Sequence, residues 1–107
     1  MADSILGKIK YVDQFNADVV LAAEGAAFIV QKVVLISAAA GDILRFEDSA
    51  GNRILHITNN GGNARHTEID FGPNGYNFGN RGVVIDVSDC TGLAATDGTD
   101  ALFVYTL

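Results

Sequence analysis

The sequence has too few cysteines for a fold held together by disulfide bridges. Cys90 is the single cysteine among 107 residues, so no internal disulfide can form, which excludes the small secreted domains that use disulfides in place of a large core. The first residues also lack a basic segment followed by an apolar one, so no signal peptide is expected. We therefore expect a protein that is made in, and stays in, a reducing aqueous compartment.

Basic residues are also scarce, and they are scattered along the chain. Seven Lys and Arg residues stand against 13 Asp and Glu residues, for a formal net charge of −6 at pH 7. Nucleic acids are bound mainly by clustered Lys and Arg, so this composition argues against a DNA or RNA partner. It argues equally against an anionic membrane surface. The most apolar run, residues 28–36, is interrupted by Gln31 and Lys32 and is too short to span a bilayer.

Proline and tryptophan are nearly absent, whereas glycine and β-branched residues are abundant. One Pro, no Trp, 12 Gly and a hydrophobic content of 49% are typical of a single domain with many short strands joined by tight turns. We predict an all-β fold, an antiparallel β-sandwich or jelly-roll-like domain of seven to eight strands. A helix is the competing interpretation for residues 17–36, although β-branched residues in the second half favour a strand. The predicted division is an N-terminal strand or arm, residues 1–16, and one sandwich domain, residues 17–107.

Residues 41–58 carry the strongest structural signal, a β-hairpin whose register can be read from the apolar pattern. Apolar and polar positions alternate on both arms, so one face of the pair is apolar throughout. A slip by one residue would turn the apolar side chains of one arm to water, so the register is strongly specified. This register pairs Leu44 with Ile57, Arg45 with His56, Phe46 with Leu55, Glu47 with Ile54 and Asp48 with Arg53.

The turn of this hairpin and the neighbouring strands complete the predicted core. Residues 49–52 close the turn, where Gly51 is able to take a positive φ. Similar alternation predicts strands before and after the hairpin, up to the apolar C-terminal segment. The residues expected in the core are Leu44, Phe46, Leu55, Ile57, Val83, Ile85 and Val104.

Histidine, cysteine and aspartate side chains could each supply a chemical group, but each has a structural explanation in this sequence. His56 and His66 lack the paired spacing of metal ligands, and Cys90 does not begin a helix that would lower the pKa of its thiol. The C-terminal region is rich in aspartate, but it lacks the spacing of an EF-hand and Asp commonly caps turns. We therefore predict no enzymatic activity, no metal and no cofactor. The aspartates concerned are Asp86, Asp89, Asp97 and Asp100.

The loop Tyr76–Arg81 combines two aromatic rings, amides and a guanidinium. Such a set is typical of a sugar platform or of a protein-binding hot spot. The alternative is that Tyr76 and Phe78 close one end of the sandwich as part of the core. The sequence leaves these alternatives open.

Four segments resemble small all-β structural proteins of tailed-bacteriophage virions, above all the head decoration or cement class. The resemblance spans residues 28–107 and implies a unit, often trimeric, that binds the major capsid protein and itself on the outside of a capsid. It places the protein on the virion surface after synthesis in the host cytoplasm. No catalytic residue follows from it, because that class acts by burying surface. The segments are residues 40–44, 48–52, 70–75 and 102–105.

The apolar residues before position 17 are weakly patterned, as in an arm that becomes ordered against a partner. With the 76–81 loop they define the expected contact surface of a decoration protein. The alternative function is a carbohydrate- or ligand-binding module that uses the same loop. The expected contact residues are Ile5, Leu6, Ile9, Tyr11, Phe15, Tyr76, Phe78 and Arg81.

Overall fold

The computed structural model describes residues 8–37, 39–59, 66–95 and 100–107. Within these ranges the chain forms nine strands and one short 3-10 helix, Val87–Asp89, so the predicted all-β fold is confirmed. No helix in these ranges is long and apolar enough to cross a membrane. The strands are β1 (Ile9–Val12), β2 (Val19–Ala22), β3 (Ile29–Ile36), β4 (Ile43–Glu47), β5 (Arg53–Thr58), β6 (His66–Asp70), β7 (Tyr76–Asn77), β8 (Val83–Ile85) and β9 (Ala101–Thr106).

The strands form two antiparallel sheets that enclose one core. The first sheet has the order β1-β9-β3-β6, with β7 also paired to β3, and the second has the order β2-β8-β4-β5. Residues 17–36, where a helix was the competing interpretation, form β2 and β3. The β-branched side chains of β3 fit a pleated sheet.

The core lies between the two sheets and is built from alternating positions of each strand. On β3, Val33 and Leu35 are fully buried, and they pair with the equally buried Val104 and Leu102 of β9. Leu55 is only partly buried and packs against the edge of the core. The other six residues predicted from the sequence are confirmed as core residues: Leu44, Phe46, Ile57, Val83, Ile85 and Val104.

The β4–β5 hairpin has the predicted register over most of its length and departs from it near the turn. Leu44, Arg45 and Phe46 have the expected partners, but Glu47 pairs with Arg53, so the predicted Glu47–Ile54 and Asp48–Arg53 pairs are wrong. One residue of β5 is left over as a β-bulge. The cause lies in the turn, where the Asp48 side chain accepts hydrogen bonds from backbone N–H groups and shortens the connection. Gly51 has the predicted positive φ, 88°.

Residues 9–15 belong to the sandwich of the chain itself. β1 pairs along its whole length with β9, and both Val12 and Phe15 lie in the core cluster. Residues 9–12 thus form a strand, one of the two predicted forms, and the alternative of an arm that becomes ordered against a partner is corrected for residues 9–15, because Val12 and Phe15 are buried within the same chain. Ile5 and Leu6 lie outside the described residues.

Candidate functional site

Three turns meet at one end of the sandwich and line an open cleft of about 490 Å³. The turns connect β2 to β3, β4 to β5, and β7 to β8. Antiparallel strands place alternate turns at the same end of a sheet, so residues far apart in sequence come together here. The lining residues are Glu24, Gly25, Asp48, Ser49, Ala50, Asn52, Asn80 and Arg81.

Hydrogen bonds hold the three turns against each other. The backbone N–H of Gly25 donates to the carbonyl of Asn80 at 2.8 Å, and that of Ser49 donates to the carbonyl of Arg81 at 3.1 Å. The Ser49 hydroxyl also lies within hydrogen-bond reach of the Glu24 carboxylate and of the Arg81 carbonyl. The backbone that forms the cleft is therefore fixed from all three sides.

Asp48 is the buried structural carboxylate of the cleft. Its side chain accepts hydrogen bonds from the backbone N–H groups of Ala50 at 3.0 Å and Asn52 at 2.9 Å, and from the Asn52 side chain at 3.2 Å. The hydrogen bond from the Asn52 backbone is the main reason why the pKa of Asp48 is lowered, with smaller contributions that include the Arg81 charge. The carboxylate is thus ionised at neutral pH, and its oxygens are engaged within the turn.

Arg81 offers hydrogen-bond donors to the open cleft, and Glu24 offers acceptors. The Arg81 side chain is 62% exposed, and its Nη1 lies 3.6 Å from Asp48 Oδ2, which is an ion pair at long distance. Glu24 is exposed and offers carboxylate acceptors. Two acidic and one basic side chain line the cleft, so its formal charge is −1. Together with the amides of Asn52 and Asn80, the site offers both donors and acceptors without a positive surplus.

The two aromatic residues of the 76–81 loop have different positions. Tyr76 is 53% exposed, whereas Phe78 is 7% exposed and contacts the rings of Phe28, Phe46 and Phe71. Phe78 therefore belongs to the core, which is one of the two alternatives that the sequence leaves open for this loop. Tyr76 packs on Phe78 with ring centroids 4.9 Å apart, but it is not among the residues that line the cleft.

The remaining expected contact residues divide by burial. Phe15 is buried with Phe78, so these two residues are corrected from the expected contact surface to the core. Ile9 is 53% exposed, and Tyr11 is half-buried against Phe103, with ring centroids 4.8 Å apart. Arg81 lies in the cleft. Whether Ile9, Tyr11, Tyr76 and Arg81 bind a partner stays a prediction.

The histidines and the cysteine lie away from the cleft. His66 is exposed, with Nε2 3.7 Å from Glu68, and His56 is exposed on β5 opposite Arg45. Cys90 is half-buried, and burial raises the pKa of its thiol. A thiol of that kind is less ionised at neutral pH than a free cysteine, which disfavours it as a nucleophile.

One group of carboxylates converges elsewhere in the described part of the chain. Oxygen atoms of Glu47, Asp86 and Asp89 lie within 4.8 Å of one another. Sequence reasoning singled out the two aspartates but not Glu47, since its proximity depends on the pairing of β4 with β8. Asp100 is instead buried, and its carboxylate accepts a hydrogen bond from the backbone of Ala94 at 2.7 Å. Asp97 lies outside the described residues.

Comparisons with known proteins add a structural similarity but no family. No family model and no curated protein matches the chain. A solved structure of a fucose-binding module, SpX-3, from Streptococcus pneumoniae aligns with a TM-score of 0.46 and 12% identity, over 92% of this chain and 72% of that one.

Proposed function

We propose that this chain is a binding module that holds a neutral, hydroxyl-rich ligand, a carbohydrate, in the cleft between its three turns. The observation that carries the proposal is the pairing of an exposed guanidinium, Arg81, with an exposed carboxylate, Glu24, on the walls of one preformed cleft. Binding sites for small molecules are typically concave and largely preformed, with a few well-placed polar groups.

The chemistry of the lining favours hydroxyl groups over charged ligands. A sugar hydroxyl donates and accepts, so it can bind a carboxylate and a guanidinium side by side. A phosphate or another anion would meet a cleft whose formal charge is −1, without the surplus of Arg and Lys that such ligands require. Asp48, one of the two carboxylates of the cleft, is engaged by hydrogen bonds within its own turn, which favours binding over the hydrolysis of glycosides by a carboxylate pair.

Substitutions at the two polar walls test the proposal. The native chain is screened against an array of neutral and acidic glycans, and affinity for the best ligand is then measured by calorimetry. We expect Arg81→Lys, which keeps the charge but loses the planar fork, and Glu24→Gln each to weaken binding about tenfold or more. His56→Ala, at an exposed position of β5 outside the cleft, is the matched control and should bind as the native chain does.

The outcomes of this experiment are unambiguous. Both cleft residues are exposed, so their substitution should leave the melting temperature nearly unchanged, and a loss of affinity then reports on the ligand. If no neutral glycan binds, or if both variants bind with native affinity, the carbohydrate proposal is wrong.

A second candidate function, decoration of a phage capsid, is favoured by the outer face of the first sheet. Tyr11, Val34 and Phe103 are paired across three adjacent strands at positions that alternate with the core residues, so they point away from the core. Ile9 and Tyr105 extend this row. We call these five residues the outer aromatic face. Aromatic side chains on a sheet surface are suited to a protein interface.

This second candidate is tested by molar mass. A decoration protein that works as a homotrimer should show by light scattering three times the chain mass of 11.3 kDa, and Phe103→Ser on the outer aromatic face should reduce that mass to one chain. A native chain that is monomeric at high concentration would contradict this second candidate, and the carbohydrate-binding module would then be the remaining proposal.

A further inference from the structure

Three carboxylates converge on the outer side of the second sheet. Glu47 is the last residue of β4, Asp86 directly follows β8, and Asp89 lies in the 3-10 helix. Their neighbours Phe46 and Ile85 are fully buried in the core, so the side chains of Glu47 and Asp86 point to the opposite side of the sheet. One oxygen of each carboxylate lies within 4.8 Å of the other two.

The charge of this group is only partly compensated. Arg45 Nε lies 2.8 Å from Glu47 Oε2, so three ionised carboxylates and one guanidinium leave a formal charge of −2. The side chain of Glu47 is only 5% exposed. Water therefore screens the repulsion between the carboxylates poorly at Glu47. A second positive charge or a proton is required there to offset it.

An independent observation at Glu47 points to a missing ligand. Its Oε2 atom is buried and accepts no hydrogen bond, and the Nε of Arg45 likewise has none. The two atoms are close, but the N–H does not point at the oxygen, so the contact is an ion pair alone. A buried carboxylate oxygen without a donor is costly, and a coordinated cation removes that cost.

We propose that Glu47, Asp86 and Asp89 bind a calcium ion. Calcium takes carboxylate oxygens at about 2.3–2.6 Å, so two of its ligands can lie up to about 5 Å apart. Oxygens that lie within 4.8 Å of one another are in reach of one Ca²⁺ ion, whose coordination geometry is flexible, whereas Mg²⁺ demands near-octahedral geometry at about 2.0–2.1 Å and keeps several of its waters. A divalent ion also neutralises the remaining charge, and the all-oxygen ligands do not favour zinc.

Calcium binding would tie the second sheet to the segment that crosses its outer side. The ion would join β4, the end of β8 and the 3-10 helix, which are otherwise linked here by turn hydrogen bonds such as that from the Ser88 hydroxyl to Asp86 at 2.6 Å. Because the ion binds the folded chain and not the unfolded one, it should raise stability with its concentration. This site is separate from the cleft and does not depend on the proposed function.

Thermal unfolding of the full chain, stripped with EDTA and titrated with CaCl₂ or MgCl₂, tests the proposal. At a calcium concentration ten times the Kd we expect the folded-to-unfolded ratio to rise about elevenfold, which corresponds to a rise in melting temperature of about 5 °C. Calorimetry should show one calcium bound per chain. Asp89→Asn, at an exposed position, should weaken calcium binding at least tenfold and remove the rise.

A matched control and a second variant make the result decisive. Glu68→Gln removes an exposed carboxylate on the first sheet and should respond to calcium as the native chain does. Glu47→Gln should also lose the response, and Asp89→Asn carries the test if that buried substitution prevents folding. If millimolar calcium changes neither the melting temperature nor the calorimetric heat, or if Asp89→Asn responds as fully as the native chain, the proposal is overturned.

Discussion

Gly75, in the turn between β6 and β7, shows how one residue type is imposed by its surroundings. Its φ is +71°, and a Cβ atom there would lie 2.9 Å from Ile29 Cγ2 and 3.0 Å from the carbonyl oxygen of Val30. Gly25 has a φ of +96° but nothing within 4 Å of the equivalent position. Substitution at these two positions therefore distinguishes the cost of backbone strain, which both share, from the cost of steric overlap at Gly75.

We predict that Gly75→Ala destabilises the chain more than Gly25→Ala. The strain of a left-handed conformation should cost about 1–2 kcal/mol at both positions, and overlap with β3 should add about 1–3 kcal/mol at position 75 alone. Urea unfolding of both variants measures the difference. Equal losses would mean that β3 moves aside without cost.

Glu47 gives the chain a pH dependence opposite to that of most carboxylates. Burial is the main cause that raises the pKa of Glu47 above its usual 4.5, followed by the neighbouring Asp89 carboxyl, while Arg45 opposes the shift. A raised pKa favours the protonated side chain in the folded state. Its stabilising effect is therefore complete below pH 4.5 and is lost as the pH rises through the folded-state value.

We predict that Glu47→Gln removes this loss in EDTA-treated protein. Between pH 4.5 and neutrality the free energy of unfolding of the native chain should fall relative to that of the variant. The slope of this fall with pH should correspond to the release of at most one proton. Asp48→Asn should show the opposite sign, since the pKa of Asp48 is lowered from 3.8 mainly by the Asn52 backbone N–H and its contribution is lost as the pH falls. Unfolding midpoints measured from neutrality to below pH 3.8 check both signs, because the contribution of Asp48 is lost only below its unfolded-state pKa.

The β4–β5 hairpin is the element whose packing follows most directly from the sequence. Phe46 is fully buried, and its ring contacts that of Phe78 with centroids 6.4 Å apart. Alternation along β4 places it between the sheets, so truncation of its side chain leaves a cavity in the core.

We predict that Phe46→Ala lowers the free energy of unfolding by about 3–5 kcal/mol. Val20→Ala on β2 is the control, because Val20 is 52% exposed and its truncation should cost less than about 0.5 kcal/mol. Chemical denaturation followed by circular dichroism measures both. A loss below about 1 kcal/mol for Phe46→Ala would contradict the packing described for the hairpin.

At the scale of the whole molecule, the first described strand pairs with the last one and forms an edge of the first sheet. β1 covers one side of β9, and Val12 and Phe15 contribute to the core between the sheets. A chain without these residues would expose β9 and leave two gaps in the core.

We predict that deletion of residues 1–15 prevents stable folding. Loss of two buried side chains, each worth about 2–5 kcal/mol, approaches the whole stability of a small domain. The measurement is the cooperativity of thermal unfolding, with the full chain as reference. A truncated chain that melts cooperatively near the native temperature would show that residues 9–15 contribute little to the sandwich.

The sequence by itself determined the class of fold, most of the hairpin register and six of the seven predicted core positions. These features follow from alternation, which is local, because neighbouring side chains on a strand always point to opposite faces. The same reasoning could not find the bulge at Ile54 of β5, because the register near the turn depends on side-chain hydrogen bonds of Asp48.

Only the tertiary structure decided where the polar groups meet. Glu24, Ser49 and Arg81 share a cleft although they come from three separate turns, and Glu47 joins Asp86 because β4 pairs with β8. Phe78 lies in the core, where it contacts the rings of Phe28, Phe46 and Phe71, which come from separate parts of the chain. Each of these placements depends on the order of strands in the sheets, which hydrophobic alternation along one strand does not encode.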